Sequence, residues 1–146
     1  MCLHHPIYQC AVYIYLGNPC DHISLEALAR KNSLKLFFDA SHAFEVRQNN
    51  KPIINYGDGS TLSFHATKVF HTFEGGAVVF KNSNLRSQFE NLRNHGLAKD
   101  TSNSRLGLNG KMSEIHAAFG LAQLPHIDHL IMCRQKTYKR YKTHKT

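Results

Sequence analysis

The sequence predicts an α/β protein with a mostly parallel sheet, one antiparallel strand and flanking helices. Three observations predict it. Ala11–Leu16, a helical stretch over Ile23–Lys31 and Leu34–Phe38 follow one another at the spacing of a βαβ unit, which builds a parallel sheet with a right-handed crossover. Glu74-Gly75-Gly76 then precedes Ala77–Phe80 closely enough after Thr61–Phe64 for an antiparallel return. Finally, Asn84–Asn94 carries Leu85, Phe89 and Leu92 on one helical face.

Each element has a local cause. Ala11–Leu16 is rich in β-branched and aromatic residues and reads as a buried strand. Gly17-Asn18-Pro19 stops it. Asp21 can cap the next helix, because its carboxylate accepts from the free N–H groups of a first turn. Ile23, Ala27, Leu28 and Leu25 supply that helix's apolar side. Leu34–Phe38 is the next strand, with Asp39 at its carboxyl end, the place where open α/β sheets bind ligands. Arg47–Gly59, with Asn49-Asn50, Pro52, Gly57 and Gly59, reads as a loop. Glu74-Gly75-Gly76 reads as a tight turn, and Ala98–Gly110 as a second loop. Ser113 can cap a helix reaching Leu124, and a last helix covers Ile127–Tyr141.

Composition excludes several classes. A chain of 146 residues with 42% apolar residues can build a domain core. No apolar run approaches the ~20 residues that span a bilayer. Met1–Pro6 has no Lys or Arg ahead of an apolar stretch, so it does not read as a secretion signal. Cys2, Cys10, Cys20 and Cys133 form no C-x-x-C pair. Free thiols in a reducing cytoplasm are the expectation. The formal charge is +8, but Arg134–Thr146 holds six Lys or Arg and no acid, which leaves +2 for the rest. The excess is a solvated basic helix end, and no nucleic-acid partner is expected. A non-catalytic basic binding module is the alternative; it would bind in a salt-sensitive way through this tail.

Several residues can carry chemistry. Lys68 is flanked by Ala66-Thr67 and Val69-Phe70. An apolar setting disfavours its charge, and a neutral amine attacks carbonyls. A surface lysine with a packed stem is the other reading. Asp39 can hold a cationic ring nitrogen or a metal, or can cap a turn. Ser63 can bind phosphate or bond to backbone. His42, His65 and His71 lack zinc spacing and nearby acidic or cysteine partners, so no metal site is expected.

Taken together, Tyr15–Asp21, Phe38–Phe44, Leu62–Gly76 and Leu108–Ala118 resemble the DegT/DnrJ/StrS sugar aminotransferases, in family order and spacing. The run Ser63-Phe64-His65-Ala66-Thr67-Lys68 followed by Glu74-Gly75-Gly76 is the most specific part. The resemblance implies part of the large domain of the type I aminotransferase fold, with pyridoxal 5'-phosphate as cofactor. Lys68 matches the lysine that holds the cofactor covalently and then moves the substrate proton. Asp39 matches the partner of the pyridine nitrogen, and His42 a position beside the ring. Ser63 matches a phosphate-binding serine, and Asn109 an asparagine reaching the phosphate in the neighbouring subunit's site, which implies a homodimer. The implied reaction passes an amino group from a donor such as glutamate to a nucleotide-linked keto-deoxy sugar, closest to dTDP-4-keto-6-deoxyhexoses, for amino sugars of surface polysaccharide.

The resemblance covers 15–128. It leaves 1–14 as an unmatched segment and 129–146 as a basic helical tail. Family chains are well over twice as long. The expectation is therefore a central fragment, inactive alone, from a late start, a frameshift or a decayed gene. Glu45 stands where a glycine is common, and Gly59 is unusual.

Overall fold

The protein is described here by a computed structural model covering residues 9–97 and 106–144. Residues 1–8 of the segment expected to be unmatched over 1–14, and most of the loop expected over Ala98–Gly110, lie outside the described residues. Two compact units are present. One takes in the chain up to Ser63 together with Gly76–Lys111, the other Phe64–Gly75 together with the chain from Met112 on.

The first unit is built on a four-stranded sheet. β1 (Gln9–Tyr13) leads to α1 (His22–Lys31) and β2 (Lys35–Asp39). A small ribbon of β3 (Arg47–Gln48) and β4 (Lys51–Pro52) precedes β5 (Gly59–Ser63), β6 (Gly76–Phe80) and α2 (Ser83–Arg93). The sheet order is β1-β2-β5-β6. β1, β2 and β5 run parallel, and β6 is antiparallel to β5. The predicted βαβ unit and antiparallel return are both present.

Register separates the two faces of the sheet, because side chains alternate along a strand. Leu36 and Phe38 of β2 share a face with Ser60 and Leu62 of β5, and all four are buried. The His22 ring of α1 lies 4.8 Å from Phe38 and 4.8 Å from Tyr56, closing this core. Tyr13, Asp39, Thr61 and Phe80 belong to the opposite face. There Phe89 of α2 packs 5.4 Å from Phe80. Gly59 is explained by close approach: a Cβ there would lie 2.9 Å from the Phe37 ring and 2.8 Å from the Val79 carbonyl oxygen.

The predicted caps form. Asp21 accepts from the Ser24 N–H at 3.0 Å, and Ser113 from the His116 N–H. Asn82 caps α2 in the same way. Cys10, Cys20 and Cys133 are free thiols.

The structure corrects four expectations. The first strand spans Gln9–Tyr13 rather than Ala11–Leu16. Pairing with β2 ends at the Tyr13–Asp39 register and one further bond from the Ile14 N–H to the Asp39 carbonyl. Beyond that no strand among the described residues pairs with it, and Tyr15–Gly17 form a 3-10 turn with Leu16 at φ 50°. On α1, Ile23 and Leu28 are exposed, whereas His22 and Ala29 are buried. The insertion of the His22 ring against Phe38 and Tyr56 sets the helix phase. The stretch read as a loop over Arg47–Gly59 contains the β3–β4 ribbon. Asn49 and Asn50 both take left-handed φ at its tip, the geometry a two-residue hairpin turn demands. Lastly, Glu74–Gly76 is not a tight hairpin turn. The whole of 64–75 connects β5 to β6, and this connection carries Lys68.

Glu45 takes φ 57°, so the turn keeps a left-handed conformation although a side chain is present. Its carboxylate makes only an exposed 3.4 Å pair with Arg47, which is worth little. Glu45→Gly is expected to stabilise the chain by about 1 kcal/mol, seen as a higher urea midpoint. A lower midpoint would mean that the Arg47 pair outweighs the backbone strain.

The amino end of the sheet is tied by two carboxylates. Glu26 accepts from the Gly57 N–H at 2.8 Å and pairs with Lys81 at 3.4 Å. Asp58 accepts from the Leu36 N–H at 3.0 Å and pairs with Lys35 at 3.0 Å. Burial pushes both carboxyls up, but the backbone N–H groups and lysines together outweigh it and hold both below their ordinary values. A carboxyl depressed in the folded state contributes stability above its unfolded pKa, and that contribution disappears as pH falls through the folded value. The thermal midpoint is therefore expected to be flat above about pH 5 and to drop below about pH 4. Asp58→Asn should flatten this drop, and an unchanged acid limb in that variant would exclude Asp58 as a cause.

Candidate functional site

In the first unit, Tyr13, Asp39 and Thr61 form one row across the carboxyl ends of the three parallel strands. Asp39 Oδ1 accepts from the Ser41 N–H at 3.0 Å and from the Ser41 hydroxyl, with a longer 3.4 Å contact from the Thr61 hydroxyl. Oδ2 has no hydrogen-bond partner among the described residues. The carboxylate is thus anchored by one oxygen and open at the other. After it the chain turns, the Ala43 N–H donating to the Ala40 carbonyl at 2.8 Å, with both alanines buried. This turn presents His42, whose Nδ1 is hydrogen-bonded to the Tyr13 hydroxyl at 2.8 Å. The two rings meet edge-on with centroids 5.6 Å apart.

Ser63 is the last residue of β5, half-buried and two residues beyond Thr61, so on the same face of that strand. Asn109 is held elsewhere in the unit. It forms an antiparallel bridge with Asn94 just after α2, supported by backbone bonds from the His95 and Gly110 N–H groups to the Leu108 and Arg93 carbonyls. Its side chain is exposed.

Lys68 belongs to the second unit, together with α3 (Glu114–Gln123), a 3-10 turn and α4 (Ile127–Thr143). It is half-buried, and its N–H donates to the His65 carbonyl at 2.9 Å. The loop around it is closed by bonds from the Phe64 N–H to Gly75 O at 2.8 Å and from the Thr72 N–H to Phe64 O at 2.9 Å. Thr72 and Phe70 are buried. They fit against Gly120 of α3, where a Cβ would lie 2.8 Å from the Thr72 methyl and 3.5 Å from the Phe70 ring. Gln123 Oε1 accepts from the His71 N–H at 2.8 Å, and the rings of His71, Phe73 and Phe119 pack together. Lys68 therefore sits on a loop with little freedom, as a positioned amine requires.

Among the described residues no three His, Cys, Asp or Glu stand together where they could hold a metal. His65 instead contacts Thr67 and Glu74, and His71 accepts from the Phe73 N–H. No described helix is long and apolar enough to cross a membrane.

The profile of the DegT/DnrJ/EryC1/StrS aminotransferase family matches residues 11–144. The chain belongs to this family. It is similar to a dTDP-4-amino-4,6-dideoxy-D-glucose transaminase of Shigella dysenteriae, with 44% identity over 126 residues, 86% of this chain and 34% of that protein. The chain thus spans about a third of the length of the curated relatives it matches. Among solved structures it resembles Helicobacter pylori PseC, an aminotransferase involved in pseudoaminic acid biosynthesis. That match has a TM-score of 0.75 and 35% identity over 82% of this chain and 33% of that one. The PLP-form of a putative sugar aminotransferase from Streptococcus pneumoniae shares the fold, with TM-score 0.82 and 23% identity over 93% of this chain and 41% of that one.

The DegT/DnrJ/EryC1/StrS aminotransferases use pyridoxal 5'-phosphate, and the donor set of this chain fits that group. The open Oδ2 of Asp39 can take a cationic ring N–H, the Ser63 hydroxyl can donate to a phosphate, and Lys68 supplies a primary amine. Tyr13, Ser41 and Thr61 in the unit of Asp39, and Gly120 and Gln123 in the unit of Lys68, were not singled out from the sequence. Ser41 could have been, since Asp-x-N–H is a local turn pattern. The others depend on strand register and helix packing.

Proposed function

We propose that this chain provides the cofactor-binding centre of a nucleotide-sugar aminotransferase. The reading is carried by Asp39, a carboxylate anchored by one oxygen and open at the other at the carboxyl end of a parallel sheet. When bound, pyridoxal phosphate would supply an electron sink for the reaction. Asp39 Oδ2 accepts the ring N–H and keeps that nitrogen protonated. Lys68 would hold the cofactor through Nζ, and the same amine would move a proton at the substrate carbon. The Ser63 hydroxyl donates to the phosphate, and His42 lies beside the ring. Asn109 reaches the phosphate in a second subunit's site, so the active form is a homodimer.

The amino donor in this reading is an amino acid such as glutamate. The acceptor is a nucleotide-linked 4-keto-6-deoxy sugar, in line with the transaminase names of the relatives. Tyr13, at 47% exposed, and the exposed Asp39 leave the carboxyl end of the sheet open to water in the 146-residue chain. Water weakens the electrostatics on which such chemistry depends, so the chain alone is expected to bind cofactor without useful turnover.

The test is to add pyridoxal phosphate, reduce with borohydride and map the labelled peptide. The label is expected at Lys68. A label spread over the other lysines, or confined to another one, would overturn the proposal.

A further inference from the structure

The structure contains one polar contact beside Asp39 that the reading above does not use. The Tyr13 hydroxyl lies 2.8 Å from His42 Nδ1, and the rings meet edge-on at an interplanar angle of 66°. Both partners are tied to Asp39 by the backbone. Tyr13 is its register partner on the adjacent strand, and His42 follows it by three residues in the tight turn closed by Ala40 and Ala43. The sheet and the turn thus hold the two residues side by side, and the hydrogen bond between their side chains fixes the rings.

We infer that Tyr13 is the positioning residue for His42, donating its phenolic proton to Nδ1 and so leaving the imidazole neutral with its remaining proton on Nε2. The chemistry follows from the two ring nitrogens. A neutral imidazole has one donor and one acceptor, and the hydrogen bond at one nitrogen fixes the role of the other. With Nδ1 accepting, Nε2 becomes a donor in a fixed direction. Without the phenol the ring can exchange tautomers and rotate. The edge-on contact adds a further restraint, since the His42 ring cannot turn without giving up this packing against Tyr13. The ligand served is the one proposed above, an aromatic cofactor with oxygen acceptors on its ring. To that extent the inference rests on the proposed function. The hydrogen bond itself does not, which allows the two to be tested apart.

The test uses the whole 146-residue chain labelled at histidine nitrogen, with His42 assigned by the signal lost in His42→Gln. Heteronuclear NMR is expected to show His42 as a neutral ring protonated at Nε2. Tyr13→Phe, which keeps the ring and removes only the hydroxyl, should convert it to an averaged tautomer mixture. The same variant should weaken pyridoxal phosphate binding by about threefold, the effect of one neutral hydrogen bond acting through a neighbour, and should shift the visible absorbance of the bound cofactor. A His42 ring protonated at Nδ1, or a His42 signal unchanged in Tyr13→Phe, overturns the inference even if the cofactor binds. If the tautomer changes as expected but neither protein binds cofactor, the positioning role of Tyr13 stands and the proposed function falls.

Discussion

Lys68→Ala is expected to abolish the visible absorbance that appears when pyridoxal phosphate is added to the chain. The effect is all-or-none because it removes the only atom, Nζ at position 68, proposed to bond the cofactor covalently. Fold should be little affected. The Lys68 side chain is half-buried, and no ion pair or side-chain hydrogen bond of it exists among the described residues. Its backbone N–H, which donates to His65, survives the substitution. The loop is held by its neighbours: Phe70 and Thr72 against Gly120, and His71 against Gln123. The unfolding free energy from urea titration should therefore stay within about 0.5 kcal/mol of the parent, while the spectroscopic change is complete. Equal absorbance in the variant and the parent would show that another lysine reacts, and the assignment of Lys68 would be lost.

Phe38→Ala is expected to leave the chain largely unfolded. Phe38 is 1% exposed on the strand between β1 and β5, with the His22 ring against it. Removing a buried phenyl costs about 3–5 kcal/mol, set against a total stability on the order of 5–15 kcal/mol for a whole domain. Leu28→Ala provides the contrast. Leu28 is 56% exposed on α1, and its truncation should change the unfolding free energy by no more than about 0.5 kcal/mol. If Leu28→Ala proved as costly as Phe38→Ala, the helix phase fixed by His22 would be wrong.

The sequence alone was informative wherever the cause is local. Asp21, Asn82 and Ser113 each sit one position before a helix and accept its free N–H groups; of these, the sequence reading picked Asp21 and Ser113. The β1-α1-β2 unit and the antiparallel return of β6 follow from run length and spacing, and both occur. The motif around Lys68 identified the family without any coordinates, and the family match agrees.

What the tertiary structure decided is which atoms meet. Periodicity placed Ile23 and Leu28 inward, but the fit of one imidazole between Phe38 and Tyr56 turned α1 so that both are exposed. The apolar run Ala11–Leu16 could not show that its strand ends at Tyr13, since that end is set by where β2 stops. Nor could sequence show that Tyr13, Asp39 and Thr61 share a row, because they come from three strands and register is a property of pairing. The reason is the same in each case. Caps, turns and strand-forming runs depend on neighbours a few residues away and can be read along the chain. The Thr61–Asp39 contact and the His42–Tyr13 bond join residues 22 and 29 positions apart, and only folding brings those together.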